Sequence, residues 1–387
     1  MSNDFRLGTL EQIIDFRNGK AIKKTDGDIP IYGGNGVLGY SDKSNYERTL
    51  VIGRVGAYCG SVHIEKGKCW VSDNAIAGLP KNGYNNEYNY YLLKSLRLNE
   101  QRIGSSQPLL TQGILNNIQV KIQFHPSQQK KIAVVLSALD AKIDCNNRIN
   151  AELEAMAKAL YDYWFVQFDF PDAHGKPYQS SGGKMVYNAT LKREIPEGWE
   201  AVELGNIVEE IRDGITPAAV SAQTPYIGLE HISRKSMILD VWANAEQATS
   251  NKNAFRSGDI IFGKIRPYFH KVGFAMMDGI TSTDSIVIRA KNKMLSGIAF
   301  ETIFSNEFVD AATASSTGSK MPRADWAVLK RYGVVLPERN APFLQRYQQM
   351  FETITQSIDK NVRENQHLTQ LRDWLLPLLM NGQVTVA

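Results

Sequence analysis

A chain of 387 residues is longer than one ordinary hydrophobic core requires, so two or more domains are expected. Its 43% hydrophobic and 22% charged residues are those of a folded globular protein, and no apolar run is long enough to span a bilayer. The net charge of +4 does not announce a nucleic-acid partner, although a basic face can hide inside a near-neutral total.

The opening MSNDFRLGTL lacks the basic and apolar regions of a signal peptide, and a cytoplasmic location is expected. Cys59, Cys69 and Cys145 are too scattered for a disulfide framework or a zinc site, which fits a reducing compartment. Residues 1–125 read as short strands and polar loops, the first globular module. Residues 126–166 read as a long helix opened by Pro126, where proline is tolerated. Its apolar seam runs Ile132, Leu136, Leu139, Ile143, Asn146, Asn150, Leu153, Ala157, Leu160, Trp164, in the alternating steps of a coiled-coil stripe. Residues 167–197 hold the Gly-, Ser- and Lys-rich stretch 171–194 and read as a linker or surface loop. Residues 198–340 form a second module of the same texture, with short β-branched runs such as Ser285-Ile286-Val287-Ile288. Residues 341–381 carry a second long helix, opened by Pro342 and kinked or ended late by Pro377.

The chain reads as a duplication. Leu7-Gly8 is echoed by Leu204-Gly205, Leu50-Val51-Ile52-Gly53-Arg54 by Ile260-Ile261-Phe262-Gly263-Lys264, Pro108 by Pro322, and Gln119-Val120 by Gly333-Val334. Adding 215 to the first seam gives Tyr347, Phe351, Ile354, Ile358, Asn361, Asn365, Leu368, Arg372, Leu375 and Leu379. Leu139, Ile143, Asn146, Asn150 and Leu153 are therefore expected to pair with Ile354, Ile358, Asn361, Asn365 and Leu368. A buried Asn fixes register because each amide needs a hydrogen-bonding mate. Each helix spans roughly 55–60 Å at 1.5 Å per residue. The fold class expected is α+β: two globular α/β domains in a pseudo-two-fold arrangement, joined by two long helices forming an antiparallel coiled coil.

Three stretches carry a family likeness: Tyr161-Asp-Tyr-Trp-Phe-Val-Gln-Phe-Asp-Phe170 closing the first helix, Ile195-Pro-Glu-Gly-Trp199 followed by Leu204-Gly205, and the loops IPIYGGNG (29–36) and FGKIRPY (262–268). With the duplication, the chain resembles a specificity subunit of a Type I restriction–modification system. One departure is that the first copy begins at Phe5-Arg6-Leu7-Gly8, with no Ile-Pro-Glu-Gly-Trp before it. The resemblance implies two target-recognition domains, each reading half of a bipartite duplex DNA site. It implies paired helices that set the spacing and dock two methyltransferase subunits, and a motor-nuclease restriction subunit that completes the complex. It also implies that this chain has no catalysis and no bound cofactor of its own, and that S-adenosylmethionine, ATP and Mg belong to the partners.

A DNA-reading surface needs cations for phosphate and hydrogen-bonding side chains for base edges. In FGKIRPYFHK, Lys264, Arg266, His270 and Lys271 offer the cations, Arg266 alternatively suits guanine O6 and N7, and Tyr268 suits phosphate or sugar. Arg54 and Tyr58 occupy the related place in the first copy. Ser105, Ser106 and Gln107 pair with Ser319, Lys320 and Arg323 around the matching prolines, and Tyr32 with Asn35, and Glu230 with His231, are further loop candidates. The cations from Lys252 to Lys293, including Arg256, Arg289 and Lys291, outnumber Asp259, Asp278 and Asp284. The bland alternative makes Phe262, Tyr268 and Phe269 core and the cations a solvated face.

Enzyme motifs are weak or missing. Gly34-Asn-Gly36-Val-Leu-Gly39 satisfies GxGxxG, but Pro30 interrupts the segment before it and no helical pattern follows. No Walker loop and no Asn/Asp-Pro-Pro-aromatic motif occurs, and the six histidines lack metal-ligand spacing. Two other readings stay open: a helical scaffold whose globular ends bind proteins, and an unrecognised nuclease or methylase.

Overall fold

The computed structural model describes residues 5–81, 83–102, 108–338 and 341–386. The chain forms two compact units, residues 1–145 with 364–387, and residues 146–363. The first unit is discontinuous in sequence and the second continuous, because the two long helices, Pro126–Tyr161 and Pro342–Met380, each give part of their length to each unit. Among the described residues, no helix is long and apolar enough to cross a membrane.

The first unit is built on strands β1 (Phe5–Thr9), β2 (Ile14–Asn18), β3 (Ile29–Gly33), β4 (Gly36–Ser41), β5 (Tyr46–Gly53), β6 (Val62–Val71), β7 (Ala75–Pro80) and β8 (Gln119–Gln123). Six of them form one sheet in the order β2-β7-β5-β6-β3-β4, and β1 pairs with β8 in a separate ribbon. All pairings are antiparallel except β3 with β6, where Ile31 faces Trp70. The run Leu50-Val51-Ile52 is buried on both faces of the sheet, which explains why it does not alternate with polar residues. Leu50 and Ile52 join Leu10, Ile14, Tyr88 and Leu92 in the main core, which also holds Leu136 and Leu379 of the two long helices.

The second unit repeats this plan over β9 (Met185–Asn188), β10 (Arg193–Pro196), β11 (Glu200–Glu203), β12 (Val208–Ile211), β13 (Gly214–Ile215), β14 (Pro225–Ile227), β15 (Ala243–Asn244), β16 (Lys252–Phe255), β17 (Ile260–Gly263), β18 (Val272–Phe274), β19 (Gly279–Ser282), β20 (Ser285–Ala290) and β21 (Gly333–Leu336). Where the first unit has the single strand β5, the second has β16 and β17, separated by a turn at Gly258 with φ +93°. The sheet accordingly divides into β12-β20-β17-β18 and β13-β16-β19-β14-β15. The parallel pair survives, with Tyr226 of β14 facing Ile280 of β19.

Backbone hydrogen bonds fix the register of the duplication. Leu10 N donates to Ile118 O at 3.2 Å, and Leu204 N to Tyr332 O at 2.8 Å. Leu204-Gly205 therefore corresponds to Leu10-Glu11, not to Leu7-Gly8: the Leu-Gly match is a chance echo three residues out. Leu7 lies in β1 opposite Lys121, whereas Leu204 begins the 3-10 turn that follows β11.

Within each unit the helix segments run antiparallel. In the second unit, Asn361 Nδ2 donates to Asn150 Oδ1 at 2.8 Å, so one pair of seam asparagines does satisfy each other. Asn146, Ile354 and Ile358 are buried, while Leu139, Ile143, Leu153, Asn365 and Leu368 are half-buried. In the first unit, the apparently misplaced Arg372 is explained by Asp140, whose Oδ1 accepts from its Nη1 at 2.7 Å. Pro377 lies inside the last turn, and the helix ends at Met380.

The two aromatic motifs of the sequence meet in one place. Phe170 stacks on Phe343 at 4.5 Å, Trp199 on Phe343 at 5.9 Å, and Phe165 lies edge-on to Tyr347 at 4.8 Å. They are packing motifs of the second unit. The stretch 171–194, expected as a linker or surface loop, is folded onto this cluster. Ser180 N donates to the buried Asp169 at 2.7 Å, Tyr178 stacks on Phe170 at 4.7 Å, and β9 pairs with β10 as a hairpin.

Candidate nucleic-acid interface

In each unit the central strand of the duplicated sheet runs into a nine-residue loop, Gly53 to Ser61 in one and Gly263 to Lys271 in the other. A constant offset of 210 aligns the two loops. Gly53 N donates to Ser61 O at 2.9 Å, and Gly263 N to Lys271 O at 2.8 Å. Arg54 N donates to Asn74 O at 3.0 Å, and Lys264 N to Asp284 O at 3.1 Å. A second loop braces each: Gly56 N donates to Pro108 O at 3.2 Å and Leu110 N to Arg54 O at 2.9 Å, while Arg266 N donates to Pro322 O at 2.7 Å and Ala324 N to Lys264 O at 2.9 Å. The prolines matched in sequence are thus matched in structure. At the tips, Tyr58 is 54% exposed and Tyr268 50% exposed, at equivalent positions.

The backbone crosses the left-handed region twice in each loop, at Gly56 (φ +74°) and Gly60 (φ +88°), and at Arg266 (φ +50°) and His270 (φ +51°). Glycine adopts this conformation freely, whereas a side chain there is strained by about 1–2 kcal/mol. The second loop holds two such residues, so it has a strain that the first loop lacks.

The expected contact residues separate on inspection. Arg266 is half-buried. Its Nη2 donates to Lys320 O at 3.3 Å, and its Nε is buried with no partner among the described residues. Arg54 is half-buried likewise, and its Nε too is buried with no partner among the described residues. Ser319, Lys320 and Arg323 are exposed on the bracing loop, and Arg323 lies 3.9 Å from Asp284. Lys264 Nζ donates to Thr283 O at 2.5 Å. His270 does not fit a phosphate contact: it is 5% exposed, its Nε2 is 2.8 Å from Phe304 O, and burial lowers its pKa. Lys271 is half-buried and its ammonium donates to Leu229 O, with burial lowering its pKa as well. Ser105, Ser106 and Gln107 lie outside the described residues.

A third loop packs beside each tip. In the first unit it is the tight turn between β3 and β4, where Asn35 is exposed and Tyr32 is held by its hydroxyl on Glu65 Oε2 at 3.0 Å. Burial, reinforced by Glu65, pushes the Tyr32 phenol above its ordinary pKa. In the second unit it follows β14, where Glu230 is exposed and His231 Nδ1 accepts from Gly228 N at 3.0 Å. The tie between neighbouring loops is also duplicated, Ser61 Oγ donating to Gly34 O as Lys271 Nζ does to Leu229 O.

Counting cations overstated the basic face. Arg289 grips the buried Asp259 through two hydrogen bonds of 2.7 and 2.8 Å, Lys252 is buried on Ser250, Lys291 donates to Gly205 O at 2.6 Å, and Lys293 pairs with Glu352 at 3.3 Å. Conversely, sequence reasoning missed Arg234, whose guanidinium lies 4.0 Å over the Phe269 ring beside the loop. Its only signal was a basic pair, Arg234-Lys235, in an insertion that the first copy lacks. Among the described residues, no cluster of three or more His, Cys, Asp or Glu side chains is arranged to hold a metal ion.

The profile described as a Type I restriction modification DNA specificity domain matches this chain twice, over residues 3–155 and 196–371. The Type I restriction enzyme MjaIX specificity subunit of Methanocaldococcus jannaschii is 25% identical over 329 residues, covering 80% of this chain and 71% of that protein. The EcoDI specificity subunit of Escherichia coli is 26% identical over 330 residues, covering 77% and 70%. The fold is similar to that of the crystallised S subunit of a Type I restriction-modification system from M. genitalium, with a TM-score of 0.64 at 15% identity over 97% of this chain and 96% of that one.

Proposed function

Because the chain belongs to the Type I restriction modification DNA specificity family, whose members are non-catalytic specificity subunits, we propose that each of its units reads one half of a bipartite duplex sequence. The observation that carries this reading is the loop scaffold held in the two units by the same four backbone hydrogen bonds, each loop with an exposed tyrosine at its tip. A protein-binding scaffold has no need for the same braced loop twice, whereas a split DNA target needs two readers of one design. Tyr58 and Tyr268 contact sugar or phosphate, and Arg54, Lys264, Arg266, Lys320 and Arg323 supply the cations that displace counterions.

In this reading the helix pair fixes the distance between half-sites and docks two methyltransferase subunits, which a motor-nuclease subunit joins. S-adenosylmethionine, ATP and Mg are assigned to those partners. Mapping methylated adenines in a genome that encodes the whole system tests the proposal. Two short half-sites at one fixed separation are expected, and a single continuous recognition sequence would overturn it. A gel shift of the complex against random duplexes separates DNA binding from a purely protein-binding role, because affinity should fall steeply with salt.

A further inference from the structure

The register of the duplication places one pair of side chains in the same position with different chemistry. Ile31 faces Trp70 across the parallel pair of the first unit, and Tyr226 faces Ile280 in the second. The offset of 195 that superimposes these strands brings Asn35 onto Glu230. Both positions sit on the loop that packs against the tyrosine-bearing tip. Gly34 approaches Tyr58 so closely that an added Cβ would lie 3.5 Å from the Tyr58 Cβ, and an added Cβ on Gly263 would lie 3.0 Å from Leu229 Cδ2. Both side chains are exposed, and neither has a hydrogen-bond or ion-pair partner among the described residues.

Glu230 is out of place on electrostatic grounds. It stands close enough to Lys271 to act on its charge, as Arg234 does, on a face that the proposed function turns toward phosphate. The other nearby acid, Asp284, approaches Arg323 at 3.9 Å, but Glu230 has no such mate. A DNA backbone has no hydrogen-bond donors, so an unpaired carboxylate there only repels it. The donors that a duplex offers in its major groove are the amino groups of cytosine N4 and adenine N6. Adenine sets its amino group beside the N7 acceptor, which repels the second carboxylate oxygen, while cytosine has no acceptor on that edge. An amide, with one donor and one acceptor, matches adenine N6 and N7 instead.

We infer that positions 35 and 230 are equivalent base-discriminating positions, Asn35 selecting adenine in one half-site and Glu230 selecting cytosine in the other. This inference rests on the bipartite reading proposed above. Each side chain projects from a backbone turn held by the tie to Gly34 or Leu229, so it can be exchanged without disturbing the core.

The test uses the complex of this chain with its methyltransferase subunits, acting on a library of duplexes randomised in both half-sites. Wild type, Glu230→Gln, Glu230→Asn and Asn35→Asp are compared by sequencing the methylated products. With Glu230→Gln or Glu230→Asn, preference for cytosine at one position should fall on the order of 10-fold in favour of adenine, as expected for loss of one good base contact. The other half-site should stay unchanged, and affinity for random duplex should rise as a negative charge is removed. Asn35→Asp should alter one position in the other half-site only. If both half-sites keep their sequences in every variant, or if methylation falls uniformly at all sequences, the assignment is overturned while the bipartite reading stands. If the wild-type complex methylates one continuous sequence, both are overturned.

Discussion

Asn361 and Asn150, on different helices of the second unit, satisfy each other through a 2.8 Å amide-to-amide hydrogen bond across the helix seam. Asn150 is 3% exposed, so losing its mate leaves a buried amide unsatisfied. Asn361→Leu alone should destabilise by about 1–3 kcal/mol, and adding Asn150→Leu should recover most of that loss. Urea unfolding of the two single variants and the double variant measures the coupling, and simple additivity would contradict the pairing. The double variant should also lose register specificity, visible as several helix pairings where the wild type has one.

In the first unit, Asp140 serves two partners. Its Oδ2 accepts from the Tyr91 hydroxyl at 2.7 Å and its Oδ1 from Arg372 at 2.7 Å, tying the helix Asn86–Ser95 and both long helices together. The ion pair is 20–25% exposed, so water screens it only in part. Asp140→Ala should cost about 1–3 kcal/mol by removing the partner of the Tyr91 hydroxyl and of Arg372 Nη1, the guanidinium keeping its bonds to Asp373, and Tyr91→Phe about 0.5–1.5 kcal/mol. Equal midpoints in urea for Asp140→Ala and wild type would refute this role.

Periodicity and duplication made the helices legible, because a seam repeated at a fixed offset is a property of the chain alone. The same reasoning placed Pro108 opposite Pro322 and Tyr58 near the counterpart of FGKIRPYFHK. It failed where equivalence depends on hydrogen bonding rather than residue identity. Leu7-Gly8 matched Leu204-Gly205 by letter, yet Leu10 holds the equivalent backbone position. The fate of the cations was equally hidden. Whether Lys252, His270 or Arg289 faces water depends on which strand packs over it, and composition holds no trace of that. Asn35 and Glu230 were both visible as loop candidates, but their equivalence required the parallel strand pairing.

Arg266 occupies the left-handed conformation that glycine provides at Gly56 in the sister loop. Arg266→Gly should therefore stabilise the second unit by up to about 1 kcal/mol, while Arg266→Ala should not, since alanine keeps the Cβ. Both changes remove a cation from the interface. Each should weaken DNA binding, and the slope of log affinity against log salt should become shallower by about 0.9 if the guanidinium meets a phosphate. Thermal unfolding and salt-titrated binding of the two variants check the two halves separately. Arg266→Gly that loses both stability and affinity would show the side chain to be a structural support instead.

Glu301 gives the second unit a pH dependence of defined sign. It is 3% exposed beside a cleft of about 690 Å³ that Lys158, Asp162 and Arg193 also line, and its carboxyl has no hydrogen-bond partner among the described residues. Burial, then the charge of Asp162, pushes its pKa up from 4.5 to about 8, with Lys158 offsetting part of the shift. The folded protein thus holds a proton on Glu301 that the unfolded chain releases above pH 4.5. Stability contributed by this group is full at low pH and falls as pH rises from about 4.5 to about 8, levelling off above that. Glu301→Gln, which mimics the protonated acid, should match wild type near pH 5 and exceed it at pH 8.5 by on the order of 2–4 kcal/mol. Urea unfolding at the two pH values measures the difference. A Glu301→Gln protein with the same pH profile as wild type would mean that the carboxyl is ionised, with its charge compensated within the cleft.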